Sequence, residues 1–137
     1  MMFLLDGPMN AWVTILLAHG AAPMDSVSLS ATATALAAVG IRVARFEFDY
    51  MASRRHSTVK MPPPRAETLR SEYIAAIDAL SVTGPLIIGG KSMGGRVASM
   101  IADDLYPSGR IAGLLCVGYP FHPVVNRINC GLLISAK

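Results

Sequence analysis

Gly90-Lys91-Ser92-Met93-Gly94 places a lysine, a serine and two glycines directly after the apolar run Pro85 to Gly89 and before a stretch rich in small residues. Two chemistries use such residues. A Gly-Lys-Ser triplet can close a phosphate-binding loop, and a serine set between glycines can attack an acyl carbon. Spacing decides between them. A phosphate loop of the form G-x-x-x-x-G-K-[ST] needs its first glycine at position 85, which is proline, and Leu86, Ile87 and Ile88 have strand chemistry where a flexible cradle is required. The dinucleotide pattern G-x-G-x-x-G fails too, because Lys91 stands two residues after Gly89, where glycine is needed.

The same five residues satisfy G-x-S-x-G, in the strand–turn–helix setting that this pattern needs. The logic is steric: Ser92 would occupy a sharp, strained turn, and Gly90 and Gly94 leave room for the chain to bend. Ser92 is then the candidate nucleophile, and the Met93 N–H, at a helix start, faces the developing oxyanion. A second donor is expected from the loop after an earlier strand. In "LLAHGAAPMDS", His19-Gly20 ends a strand, so the Ala21 N–H is the candidate partner of Met93. His19 itself reads as a loop-packing histidine bonded to nearby backbone.

Alternating strand and helix signals must position these groups, and they run from residue 12 onward, as in βαβ units with a parallel sheet. Val13 to Ala18 reads as a strand. Asp25 or Ser26 can cap a helix with Leu29, Ala33 and Leu36 on one face, ended by Gly40. Residues 41 to 48 form the next strand, and residues 49 to 65 a Pro-terminated surface loop. Leu69, Tyr73, Ile77 and Leu80 recur at helical spacing, as do Val97, Ile101 and Leu105 after the central strand at 85 to 89. Residues 111 to 120 supply a further strand. The expected fold class is α/β, a three-layer αβα sandwich around a mainly parallel sheet.

A chain of 137 residues, 53% hydrophobic and 15% charged, suits one domain whose strands are covered on both faces. No apolar run reaches the roughly 18–20 residues of a membrane span, and "MMFLLDGP" lacks the basic start of a signal peptide. The expectation is a cytoplasmic protein with no membrane association. Cys116 and Cys130 have neither metal-like spacing nor a disulfide framework, so no metal is expected. A formal charge of +3 is too small to point to nucleic acid.

"LLAHGAAPMDS", "GIRVARFEFDYM", "IIGGKSMGGRVASMIAD" and "GLLCVGYPFHP" together resemble the alpha/beta-hydrolase superfamily in order and spacing. The resemblance is to a small capless branch near the dienelactone-hydrolase-like proteins, whose animal relatives include testis-expressed and chromatin-complex subunits. It covers roughly residues 3 to 123. It implies a serine-type hydrolase of small ester or acyl substrates, with Ser92 as nucleophile and no cofactor.

In that superfamily a triad acid and then a histidine follow the serine along the chain. Only Asp103, Asp104 and His122 lie beyond Ser92. The two aspartates fall on the helix after the elbow and read as solvated, and His122 is not where the resemblance sets the base, so the triad acid and base are unassigned. Residues 124–137 diverge from the family, and the reading is of residues 1–137 as one partial hydrolase domain lacking its C-terminal strands, through truncation or a frameshift. A sheet cut after the strand at 111 to 118 would expose an apolar edge unless the tail or another chain covers it, which predicts self-association. The alternative to an enzyme is a non-catalytic or degenerate hydrolase-fold fragment. Arg54, Arg55, His56, Lys60 and Arg65 cluster in the loop at the sheet's C-terminal edge, and Arg54 and Arg55 are candidates to clamp an anionic substrate, against the plainer reading of a solvated loop.

Overall fold

Consecutive residues of one strand pack into opposite layers: Leu16 and Ala18 join the larger apolar cluster, while Ile15 and Leu17 join the smaller. That period of two, with every residue from Thr14 to Ala18 buried, marks a central strand covered on both faces. The computed structural model describes residues 1–118 and the backbone of 131–134. Its elements in chain order are β1 (Leu4–Asp6), β2 (Thr14–Ala18), α1 (Val27–Ala38), β3 (Arg42–Phe46), α2 (Asp49–Ser53), a 3-10 turn (Ala66–Leu69), α3 (Arg70–Ala79), β4 (Leu86–Lys91), α4 (Met93–Leu105), β5 (Gly113–Val117) and β6 (Gly131–Ile134).

The strands form one six-stranded sheet in the order β1-β3-β2-β4-β5-β6. β3, β2, β4 and β5 run parallel, and β1 and β6 close the two edges antiparallel. Leu29 and Ala33 of α1 pack on one face with Val43 and Ile87. Tyr73, Ala76 and Ile77 of α3 and Val97, Ala98 and Ile101 of α4 pack on the other with Leu16, Phe46 and Ile88. This is the three-layer αβα sandwich that the alternating pattern implies.

The local signals act as expected at several places. The Ser26 hydroxyl accepts the Leu29 N–H at 3.3 Å and caps α1. Gly40, at φ +88°, follows α1, and the Ile41 N–H reaches back to the Leu36 carbonyl at 3.2 Å, a Schellman ending. Inside the sheet the Tyr73 hydroxyl accepts the Gly89 N–H at 2.8 Å and lies 2.9 Å from the Leu16 carbonyl, pinning α3 across β2 and β4.

Three elements differ from the sequence reading. β1 is a strand of three residues, too short to show periodicity, held by its register Leu4↔Arg45 to Asp6↔Val43 against β3. α2 lies inside the expected loop, because five residues make too few turns to reveal an apolar stripe. β6 arises in the divergent tail and pairs with β5 from Gly113↔Ile134 to Cys116↔Gly131. The edge of β5 expected to lie open is therefore covered, by the tail that the sequence reading named as one means of covering it. His122 and Cys130 lie outside the described residues.

Candidate active site

β2 and β4 are neighbours in the sheet, yet the chain leaves β2 toward β3 on one side and leaves β4 toward β5 on the other. Such a switch point opens a crevice at the carboxyl ends of the strands, and ligands bind there in open α/β sheets. Ala18 pairs with Gly90 at this end, so His19-Gly20 and Lys91-Ser92 emerge side by side.

Ser92 has φ 52° and ψ −115°, and among the described residues no other non-glycine has positive φ. A side chain in that region costs about 1–3 kcal/mol and persists only where its surroundings impose it. Here they do. The Ser92 N–H is held by the Val117 carbonyl of β5 at 2.9 Å, and its carbonyl accepts the Arg96 N–H of α4 at 3.0 Å. The turn also needs its glycines. A Cβ on Gly90 would lie 2.6 Å from the Ala18 carbonyl oxygen, and one on Gly94 would lie 2.4 Å from that of His19. One on Gly20 would lie 3.1 Å from the Ser92 Cβ, so the loop after β2 rests directly on the serine.

Met93 is the first residue of α4, where N–H groups have no partner within the helix and carry the positive end of its dipole. Ala21 follows Gly20 and is exposed. Ser92 is half-buried and opens on a cleft of about 440 Å³, also lined by Arg65, Ala66, Glu67, Met93 and Arg96.

His19 is fully buried. Its Nδ1 lies 2.8 Å from the Gly20 carbonyl and its Nε2 accepts the Phe48 N–H at 3.2 Å, so the proton sits on Nδ1 and both nitrogens are engaged. Burial pushes the ring's pKa below its ordinary value. Three further side chains, Glu47, Arg55 and Arg45, brace the loop after β2. Glu47 accepts the Met24 N–H at 3.1 Å, Arg55 pairs with Asp25 at 2.9 Å and with Glu47 at 2.6 Å, and Arg45 donates to the Met24 carbonyl at 2.9 Å and to Asp6 at 3.0 Å. Burial opposes ionisation of Glu47, but the Arg55 guanidinium and the Met24 N–H outweigh it and hold the carboxyl below its usual range.

The structure thus brings Ser92, Met93, Gly90, Gly94, His19 and Gly20 together. Arg54 and Arg55 stand elsewhere. Arg55 lines a different hollow, with Met24 and Glu47, and its charge is met by two carboxylates. Arg54 lies over the Tyr50 ring and donates to the Met61 carbonyl at 2.7 Å. Asp103 and Asp104 are exposed on α4, roughly 16–18 Å along the helix from Ser92 at about 1.5 Å per residue. Among the described residues, no histidine or carboxylate hydrogen-bonds to the Ser92 hydroxyl and no group of three or more His, Cys, Asp or Glu could hold a metal. No described helix is long and apolar enough to cross a membrane. Arg96 and Glu47 escaped the sequence reading: Arg96 sits one turn past Ser92, a spacing that could have drawn notice, whereas nothing local marks Glu47 as a brace.

Residues 11–130 match a family described as an alpha/beta hydrolase domain. The chain belongs to the alpha/beta-hydrolase family. Among solved structures, the chain is similar to a protein of Xanthomonas campestris described as a serine hydrolase without a lid, at 20% identity and a TM-score of 0.67, over 93% of this chain and 57% of that one. It is similar to mouse alpha/beta hydrolase domain-containing protein 10, at 17% identity and a TM-score of 0.60, over 85% of this chain and 44% of the other. A type II thioesterase of the yersiniabactin pathway gives 19% and 0.60, over 85% and 47%. No curated protein sequence matches significantly. These likenesses carry the fold, and the chain spans about half the length of the structures it matches.

Proposed function

We propose that this chain carries the nucleophile and oxyanion hole of a serine-type hydrolase acting on small ester or acyl substrates. The observation that supports it best is the strained Ser92, enforced by the close approach of Gly90 and Gly94 to β2. Strain imposed at one hydroxyl-bearing residue, at the switch point of the sheet and on the floor of a cleft, costs stability, and strain of this kind clusters at functional sites. In the reaction, Ser92 Oγ bonds to the acyl carbon as its proton passes to a base. The carbonyl oxygen takes the negative charge and faces the Met93 and Ala21 N–H groups. The leaving alkoxide or thiolate departs with a proton, and water then releases the acid by the reverse sequence. His19 does not supply the base, since Phe48 occupies its Nε2 and Gly20 its Nδ1.

A non-catalytic hydrolase-fold module is the second reading, favoured by the lack of a histidine or carboxylate on the Ser92 hydroxyl among the described residues. A fluorophosphonate probe, which labels only an activated serine, separates the two. Labelling of the folded chain that disappears in Ser92→Ala supports the hydrolase; an unlabelled folded chain supports the module.

A further inference from the structure

The cleft above Ser92 carries two guanidinium groups and one carboxylate. Arg65 reaches Glu67 at 3.4 Å, with side chains 86% and 42% exposed, so that pair is solvent-screened and weak. Arg96 has no carboxylate within salt-bridge distance among the described residues. It lies four residues beyond Ser92 on α4, and positions four apart share one face of a helix. Arg55 is matched by Asp25 and Glu47 and opens on another hollow, and Lys91, next to the serine, does not line this cleft, so among the described residues that line it the cation without a carboxylate partner is Arg96.

From this juxtaposition we infer that Arg96, assisted by Arg65, selects substrates carrying an anionic group set back from the scissile carbonyl. The inference rests on the reading of Ser92 as nucleophile and names the substrate class for that site. A guanidinium presents parallel N–H donors that match a carboxylate or phosphate, and such charge-assisted bonds are about twice as strong as neutral ones. Four residues of helix rise by about 6 Å, a span that an anion about four bonds from the scissile carbonyl can cover. Glutarate half-esters have that reach. The cleft's volume of about 440 Å³ suits a ligand of this size.

The test is equilibrium binding to the full chain bearing Ser92→Ala, which prevents turnover, with monomethyl glutarate and its neutral counterpart dimethyl glutarate as probes at low salt. The expected result is at least fivefold tighter binding of the monoester, a preference lost in Arg96→Gln, partly kept in Arg96→Lys and reduced in Arg65→Gln. Equal binding of the two esters, binding of neither to the folded chain, or a preference that survives Arg96→Gln would overturn the inference. Arg96 is exposed, and circular dichroism verifies that its variants fold. The hydrolase reading fails separately: a chain that prefers the monoester through Arg96 yet takes no fluorophosphonate at Ser92 keeps the anion site and loses the enzyme.

Discussion

The backbone N–H of Phe48 donates to Nε2 of His19 at 3.2 Å, so an imidazole at the end of β2 is joined to the chain just after β3. Its other nitrogen holds the Gly20 carbonyl, and its ring meets that of Phe48 edge-on at 5.3 Å. This histidine must stay neutral to accept the Phe48 proton.

Burial lowers the His19 pKa in the folded chain below its value in the unfolded chain. Between those two values the unfolded state binds more protons, so stability is full above about pH 6.5 and is lost as the pH falls toward the folded-state value. Denaturant unfolding of the wild type is expected to show this loss between neutral and mildly acidic pH. His19→Ala should be less stable at pH 7 by about 2–4 kcal/mol, from a cavity and an unpaired N–H, and should have a flatter pH profile over the same range. An unchanged profile in the variant would assign the dependence to other groups.

Ser92→Gly should stabilise the fold by about 1–2 kcal/mol, because glycine adopts the turn's positive φ without a side-chain clash. Ser92→Ala keeps a Cβ in that conformation and should stay within about 0.5 kcal/mol of wild type. Both remove the hydroxyl. Chemical denaturation of the pair measures the strain directly, and equal stabilities would show that none is stored there.

A methyl group on Gly94 would meet the His19 carbonyl oxygen at 2.4 Å, whereas one on Gly40 meets nothing within 4 Å. Gly94→Ala should therefore cost about 2–3 kcal/mol by overpacking and reduce fluorophosphonate labelling of Ser92 at least tenfold. Gly40→Ala should cost only the left-handed backbone penalty of about 1–2 kcal/mol and leave labelling unchanged. Thermal melts and labelling rates on the two variants provide the check.

Arg55→Gln should weaken neutral and anionic esters to the same degree, since Arg55 braces the loop after β2 through Asp25 and Glu47. The Asp25 carboxyl, held below its usual range by the hydrogen bond from Arg55, should return toward that range in the variant. A selective loss of anionic esters would instead restore Arg55 as a substrate clamp. Comparing kcat/KM for a charged and a neutral ester of one length distinguishes these outcomes.

The central strands and large helices were legible because burial on both faces writes them as apolar runs and helical stripes: "TILLA" and the Val97, Ile101, Leu105 row are plain in one dimension. The sharp turn at Ser92 was legible because its steric demands fall on consecutive residues. What escaped notice depends on partners distant in sequence. Arg45 interrupts an apolar strand, and only the fold brings Asp6 and Met24 to its guanidinium. Arg54 and Arg55 looked like free cations because the sequence does not show Asp25 and Glu47 closing on one of them. Arg96 carries no mark in the sequence, and only the fold sets it in one cleft with Ser92, Arg65 and Glu67.

The Ser92 N–H is held by the Val117 carbonyl, a partner 25 residues further along the chain. During synthesis, β2, β3 and β4 are all complete before that carbonyl exists. The nascent chain can therefore lay down the floor of its cleft early, but it cannot fix the serine turn until β5 has emerged and docked. Setting of this turn is a late event in the life of each new molecule.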